Sequence, residues 1–214
     1  NEIDVNLRFR ISSIEPNLLN EEIIKLVSLS DKICTHFHIP LQSGCDEILK
    51  KMRRRYNKSL FINRIELIKK YIPDCCIGID IITGFPSETD ANFNETYSLL
   101  ESLPISYLHT FTYSERSGTD AINLNPTVPH QEKKRRTLLL RELYDRKKKE
   151  FYQTQLGNIK KVIPEDYDEK TNLYKGWSEN YVRAAFYNKN ELYGHDLKVK
   201  LLRIQDDLVF SEIV

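Results

Sequence analysis

Strand-like and helix-like patterns alternate through the first 112 residues, and this alternation limits the fold more than any other feature of the chain. Strand-like runs cover residues 7–14, 35–41, 77–82 and 105–112, and helical runs cover a stretch after Asn20 and residues 46–54, 59–72 and 88–103. This order predicts an α/β fold of parallel strands with right-handed crossovers. Small closed barrels use about eight strands, so we expect a partial barrel whose other strands lie upstream.

The pattern changes after Gly157. Five short alternating runs follow, separated by Asn, Asp, Gly and Lys: KKVIPED, LYKGW, YVRAAF, LKVKLLRI and LVFSEIV. Such runs are typical of a small antiparallel β-barrel. The sequence therefore predicts two domains, residues 1–155 and 156–214, with a long basic helix over about 130–154 at the end of the first.

Composition excludes some classes of protein. No apolar run approaches the roughly 20 residues that span a bilayer, so no membrane partner is expected. The four cysteines, Cys34, Cys45, Cys75 and Cys76, have no C-x-x-C or C-x-x-x-C-x-x-C spacing. They are interpreted as buried, reduced thiols of a cytoplasmic protein, and no metal site is predicted from them.

Hydrogen-bonding groups and glycines follow each predicted strand, where ligands of parallel α/β folds bind. They are Ser12, Ser13 and Glu15; Gln42, Ser43 and Gly44; Gly84, Ser87 and Glu88; and Tyr113, Ser114, Glu115 and Arg116. Each one alone is better explained as a cap or loop residue, and Ser87 is predicted to N-cap a helix with Asp90 at the capping-box position. Together, the four loops predict a shared ligand pocket.

His36 and His38 alternate on one predicted strand and face the same side. A metal pair would need a third ligand, and none is in register, so a role in the core is favoured. No role is assigned to His109, His130 or His195.

Positive charge is concentrated in two segments, although the formal net charge is only +1. Residues 50–58 carry six basic side chains in nine positions, and residues 133–149 carry nine basic side chains against two acids. Phosphate binding and a solvated helix face explain these patches equally well. In the C-terminal part, Trp177, Tyr181, Arg183 and Phe186 suit base stacking. However, residues 162–214 carry ten acids and seven Lys or Arg, which argues against a general polyanion binder.

Several long strings, in order, resemble the radical S-adenosylmethionine (SAM) methylthiotransferases. They are RISSIEP (10–16), HIPLQSGCDEILKKMRRRY (38–56), DIITGFPSET (80–89) and YSERSGTDA (113–121). The C-terminal module resembles a TRAM domain, which is a small RNA-binding β-barrel. Three further strings most resemble the threonylcarbamoyladenosine tRNA methylthiotransferases: MRRRY (52–56), LHTFTYSERSGT (108–119) and GWSENYVRAAF (176–186).

The resemblance implies a three-part enzyme that adds a methylthio group to C2 of a modified adenosine beside the tRNA anticodon. An N-terminal domain would hold one [4Fe–4S] cluster, and a partial radical SAM barrel would hold a second cluster, which cleaves SAM to a 5′-deoxyadenosyl radical. Neither set of cluster cysteines is in this chain. We therefore expect the chain to begin partway through the barrel and to be inactive alone, and tRNA and the upstream half of the polypeptide to be its partners, with no role for DNA.

The resemblance also assigns residues, with Cys45 as a small pocket-edge residue and no metal ligand. The SAM side of the barrel would comprise Ser13, Gln42, Ser43, Gly84, Glu88, Tyr113 and Arg116. RNA would contact Arg53, Arg54, Arg55, Lys133, Arg136, Trp177, Tyr181 and Arg183. Two related substrates remain open, isopentenyladenosine in tRNA and an aspartate of a ribosomal protein, and so does a non-catalytic RNA-binding protein.

Overall fold

A three-stranded parallel sheet lies at the centre of the N-terminal part of the computed structural model, which describes residues 7–190, 192 and 196–214. Its strands are β1 (His36–His38), β2 (Cys76–Thr83) and β3 (Tyr107–Thr112), in the order β1-β2-β3. The register pairs His38 with Gly78 and Asp80 with His109. The predicted α/β alternation is confirmed for these three strands.

Residues 7–14, predicted to be the first strand, form only two isolated parallel bridges, Phe9 with Ile33 and Ser13 with His38. The prediction of a full strand there is wrong. The predicted strand over 35–41 is also shortened, because Pro40 has no amide hydrogen to continue the ladder. Pairing with β2 resumes beyond the proline, where Gln42 bridges Ile81.

Five helices connect and cover the strands: α1 (Glu21–Leu29), α2 (Asp46–Lys51), α3 (Lys58–Tyr71), α4 (Asp90–Ser102) and α5 (His130–Gln155). The predicted cap of α4 is wrong. Thr89 caps it through the amide of Asn92, whose own side chain accepts from the Thr89 amide in a reciprocal capping box. Ser87 lies before the cap with φ of 68°. No helix in the described ranges combines the length and the apolar content needed to cross a membrane.

The two faces of the sheet differ in chemistry because side chains alternate along a strand. Phe37, Ile79 and Leu108 face the helices and belong to the main apolar core. His38, Asp80 and His109 lie at the intervening register positions, on the face that would line a barrel interior. This polar interior face is where a ligand site is expected.

The C-terminal part is a closed five-stranded barrel in the order β4-β5-β6-β8-β7. Its strands are β4 (Ile159–Asp168), β5 (Leu173–Ser178), β6 (Arg183–Tyr187), β7 (Leu197–Gln205) and β8 (Leu208–Ile213). All five predicted runs form strands. Four of the five strand pairings are antiparallel, and β6 and β8 pair in parallel where the barrel closes.

Candidate functional site

A cavity of about 550 Å³ opens at the carboxyl ends of the sheet strands. Three of the predicted pocket residues, Gln42, Tyr113 and Arg116, line it together. Ser114, which belongs to the predicted loop after the fourth strand, also lines it, and the rest of the lining was not predicted to face a ligand pocket: Arg54, Ile82, Phe111, Thr112, Thr119 and Ala121. Loops that are far apart in sequence therefore meet at one site.

Gln42 is held at the cavity by its backbone. Its amide donates to the carbonyl of Asp80 at 2.8 Å, and its own carbonyl accepts from the amide of Ile82 at 3.0 Å. Its φ is 67°, a left-handed conformation that residues other than glycine seldom adopt. Strain of this kind persists only where the surrounding structure imposes it and is concentrated at functional sites.

Tyr113 offers the cavity an unused hydroxyl group. Its amide donates to the carbonyl of Thr83 at 2.9 Å, and its ring meets the edge of Phe85 at 5.2 Å between centroids. The Lys133 ammonium lies over the ring, 5.2 Å from its centroid. The hydroxyl oxygen is buried and has no hydrogen-bond partner among the described residues. A buried polar group of this kind costs free energy unless a ligand or water satisfies it.

Gly84 does not line the cavity. It makes room for the side chain of Lys133, which packs against it. Its φ is 76°, and a Cβ at this position would lie 2.4 Å from Cγ of Lys133. The glycine therefore lets the lysine stem cross the backbone and reach Tyr113. This contact accounts for Lys133, which was predicted to bind RNA.

Two arginines make the cavity positive. Arg54 pairs with Glu15 at 3.2 Å, while its Nε is buried without a partner in the described structure. Arg116 is exposed and has no ion pair with any described residue. An unpaired guanidinium at the mouth of a cavity suits a ligand that carries a carboxylate.

Residues 2–100 match the family model described as the radical SAM superfamily. This segment belongs to that superfamily. Over 199 residues, the chain is 37% identical to a threonylcarbamoyladenosine tRNA methylthiotransferase of Bacillus subtilis, covering 92% of the chain and 44% of the relative. Over 196 residues, it is 38% identical to a tRNA-2-methylthio-N(6)-dimethylallyladenosine synthase of Acetivibrio thermocellus, covering 91% and 41%.

The chain therefore spans less than half the length of these curated relatives. A solved structure with the same fold is coproporphyrinogen III oxidase of Escherichia coli, described as a radical SAM enzyme. It has a TM-score of 0.50 and 15% identity, covering 63% of this chain and 30% of the oxidase. The N-terminal part is thus a partial radical SAM barrel, followed by a small β-barrel.

The radical SAM cofactors fit this chain unequally. The cavity has what a zwitterionic nucleoside needs, namely the free Arg116 guanidinium and the unsatisfied Tyr113 hydroxyl. The described residues do not provide ligands for an iron–sulfur cluster. All four cysteines are free and buried, and no group of potential metal ligands occurs within the described ranges. The chain's own residues therefore fit SAM and do not fit a cluster.

Glu88, predicted to contact SAM, and Arg136, predicted to contact RNA, form a buried ion pair with each other. Their side chains are 2% and 3% exposed, and Nη1 of Arg136 lies 2.7 Å from Oε2 of Glu88. Glu88 also accepts from the Gly84 amide at 2.7 Å, and Arg136 also pairs with Asp90 and Glu132. Burial raises the pKa of Glu88. Both charges are therefore paired within the chain.

Ser43 and Ser13 also lie away from the SAM-type cavity. Ser43 is buried and its hydroxyl bonds with that of Thr96 at 3.3 Å, which fixes the loop against α4. Ser13 lies on the interior face, where its hydroxyl is 2.6 Å from Nδ1 of His38. His38 in turn contacts Asp80 at 3.1 Å. These side chains form a polar layer of the interior face, one that includes Asp80, a residue the sequence did not single out.

Trp177 and Tyr181, which were predicted to stack RNA bases, lie at the junction between the small barrel and the radical SAM sheet. Tyr181 stacks on His36 of the radical SAM sheet at 4.3 Å and on Trp177 at 4.2 Å between centroids. Arg183 lies over the Trp177 ring at 5.0 Å and pairs with Glu165 at 3.1 Å. These contacts hold the small barrel against the sheet, while all three side chains stay partly exposed, so their contact with RNA remains a prediction.

The N-terminal segment strengthens this junction. Arg8 donates to the carbonyls of Lys161 at 2.9 Å and Trp177 at 3.1 Å. Arg10 donates to the carbonyl of Ser178 at 3.3 Å, and its guanidinium lies 4.7 Å from the centroid of the Tyr181 ring. Residues at the beginning of the described chain thus clamp the C-terminal barrel.

The remaining predicted RNA contacts lie on the surface around α2. Arg53 pairs with Asp120 at 2.7 Å, and both side chains are exposed. Arg55 is exposed and pairs with no acid in the part of the chain that the structure describes. Both residues are placed where a phosphate can reach them, and their role remains a prediction.

Proposed function

We propose that this chain is the C-terminal part of a radical SAM methylthiotransferase that modifies N6-threonylcarbamoyladenosine in tRNA. The motif strings and the Bacillus subtilis relative support that substrate. A similarly close relative is named for dimethylallyladenosine, which makes the isopentenyl substrate the second candidate. The whole enzyme would be cytoplasmic, with tRNA as its partner.

One observation carries this proposal: Gln42, Tyr113 and Arg116 line a single cavity at the carboxyl ends of the parallel strands. Arg116 would hold the carboxylate of SAM, and the Tyr113 hydroxyl would bond to a polar group of the ligand. When bound, SAM with an iron–sulfur cluster supplies the hydrogen-atom abstraction that activates C2 of the adenosine.

The cluster ligands would come from upstream residues of the full-length protein, which we propose holds two [4Fe–4S] clusters. The described chain alone is then inactive. Reconstitution of the 214-residue chain with iron and sulfide is expected to give no 5′-deoxyadenosine from SAM. Cleavage of SAM by this chain would contradict the proposal that the cluster ligands come from upstream residues.

The small barrel, residues 156–214, would act as a TRAM-type RNA-binding domain placed beside the catalytic domain, residues 1–155. Support comes from its five-stranded closure and from its fixed contacts with the radical SAM sheet. Its phosphate contacts would be supplemented by Arg53 and Arg55 on the first domain.

Mass spectrometry of tRNA nucleosides from a strain lacking the gene tests the proposal. The 2-methylthio form of threonylcarbamoyladenosine is expected to disappear and to return with a plasmid copy. Loss of the 2-methylthio isopentenyl nucleoside instead would establish the second candidate. If both nucleosides are unchanged, the tRNA assignment is wrong, and the ribosomal-protein substrate should be examined.

A further inference from the structure

A second, smaller groove runs along the free edge of the radical SAM sheet. Within the described residues, β3 pairs only with β2, so its other edge is open beside α5. The groove has a volume of about 270 Å³. It is lined by Leu108, His109, Thr110, Phe111, Arg141 and Tyr144.

Phe111 is an exposed aromatic in this groove. The residue is 52% exposed on β3, the edge strand of the sheet. Phe111 also lines the larger cavity that contains Arg116, so the groove and the cavity share one wall. A planar group resting on Phe111 would therefore lie directly beside the cofactor cavity.

His109 and Thr110 supply unused hydrogen-bonding groups. His109 is exposed and contacts only rings, Tyr107 at 5.2 Å and His38 at 5.8 Å between centroids, with no hydrogen bond to a described residue. Partial desolvation lowers the pKa of His109, which favours the neutral imidazole with one donor and one acceptor. The Thr110 hydroxyl is buried and without a partner in the described ranges.

Arg141 is the unpaired cation of the groove. Other arginines of the same helix are paired, Arg136 with Glu88 and Arg146 with Glu101. Arg141 is exposed and forms no ion pair with any residue that the structure describes. Its charge is therefore available to an anionic ligand.

We propose that this groove binds one unpaired nucleotide of the RNA substrate, with its base on Phe111, its polar edge at His109 and its phosphate at Arg141. Unstacked bases bind to aromatic side chains, and their phosphates to arginine. This arrangement places the base against the cofactor cavity. The inference rests on the proposed function, since the RNA is the substrate assigned there.

Binding of RNA to the full-length protein, measured by fluorescence anisotropy, tests the proposal. The two probes are a hairpin with the anticodon-loop sequence and a fully paired duplex of the same length. Phe111→Leu is expected to weaken hairpin binding about tenfold, because a base stack is lost, and to leave duplex binding unchanged. Arg141→Gln is expected to weaken both and to reduce the salt slope by about one.

Matched controls are Phe9→Leu, an exposed phenylalanine outside the groove, and Arg146→Gln, an arginine on another side of the same helix. Both control variants should bind the hairpin and the duplex as wild type does. Circular dichroism checks folding, and His109→Ala, which removes no hydrogen bond within the described structure, replaces Phe111→Leu if that variant does not fold. The same selective loss of hairpin binding, about fivefold or more, is expected from it.

Two failures can be told apart. If wild-type protein binds the hairpin and forms the methylthio nucleoside, but the groove variants bind as wild type does, the groove inference is wrong and the proposed function stands. If wild-type protein binds neither RNA and forms no methylthio nucleoside, both are wrong.

Discussion

The Tyr181 ring stacks on the His36 ring at 4.3 Å, across the junction between the small barrel and the radical SAM sheet. Tyr181 adopts a φ of 63° to do so, and a left-handed aromatic residue costs about 1–3 kcal/mol. Contacts with Trp177 and Arg10 on the same ring offset that strain. Tyr181 therefore contributes to the orientation of the barrel relative to the sheet, together with the clamp formed by Arg8 and Arg10.

Tyr181→Ala should lower the free energy of unfolding by about 2 kcal/mol, because it removes three ring contacts at a half-buried site. We also expect the small barrel to become more sensitive to limited proteolysis. Chemical denaturation and proteolysis measure the two effects. Tyr187→Ala, at an exposed tyrosine of the same barrel, is the control and should change stability by less than about 0.5 kcal/mol.

Acid should destabilise the protein through His36. Burial lowers the pKa of His36 to about 3, with smaller effects from Arg10 and His38. Below the ordinary histidine pKa of about 6.5, His36 is protonated in the unfolded chain and stays neutral in the folded chain. The free energy of unfolding therefore falls as pH drops from about 6.5 towards 3. The contribution approaches about 1.4 kcal/mol per pH unit in that range.

Denaturation of wild type and His36→Gln at pH 7 and pH 5 measures this contribution. The variant should lose less stability between the two values than wild type does. His130→Gln, at an exposed histidine, should behave like wild type. Equal losses for wild type and His36→Gln would show that His36 is not responsible.

Breaking the buried ion pair should be costly. Glu88→Gln leaves the Arg136 charge with only its outer partners, Asp90 and Glu132, and should lower the free energy of unfolding by about 3 kcal/mol. The double variant Glu88→Gln/Arg136→Met should cost less than the sum of the single variants. Glu95→Gln, which disrupts a pair on the surface with Lys58, should cost about 1 kcal/mol or less. Additive effects would contradict the coupling.

Removal of the free cation from the cavity should weaken cofactor binding. Arg116→Ala in the full-length protein is expected to raise the Kd for SAM about tenfold, since a charge-assisted hydrogen bond is lost. Equilibrium binding measures the change. Arg55→Ala, at an exposed arginine that does not line the cavity, should have no effect. An unchanged Kd for Arg116→Ala would remove Arg116 from the site.

Periodicity predicted the strands and helices best where one face is continuously apolar. β2 and the five barrel strands have this character, and all were located within a few residues. The segment over 7–14 has the same local character but lacks a continuous ladder with its described neighbour. A strand depends on its partners, and a single sequence does not reveal them.

The ligand pocket was predicted from residues that directly follow the predicted strands. Their position in the sequence does not show in which direction each side chain points. Gln42 and Arg116 turn into the cavity. Glu88 turns towards Arg136, a partner 48 positions away that only the packing of α4 against α5 reveals. The same limit applies to Trp177 and Tyr181. Their residue types suit RNA binding, but the sequence does not show that their rings stack on each other at the junction between the domains.

Arg10 and Ser178 are joined across 168 positions of sequence. Contacts of such separation require a large loss of chain entropy before they form. The barrel strands pair with nearby segments and can assemble first, whereas the clamp closes only when the segments that contain Arg10 and Ser178 are both in place. During synthesis, the segment that contains Arg10 must therefore wait until the segment that contains Ser178 has left the ribosome before the junction is complete.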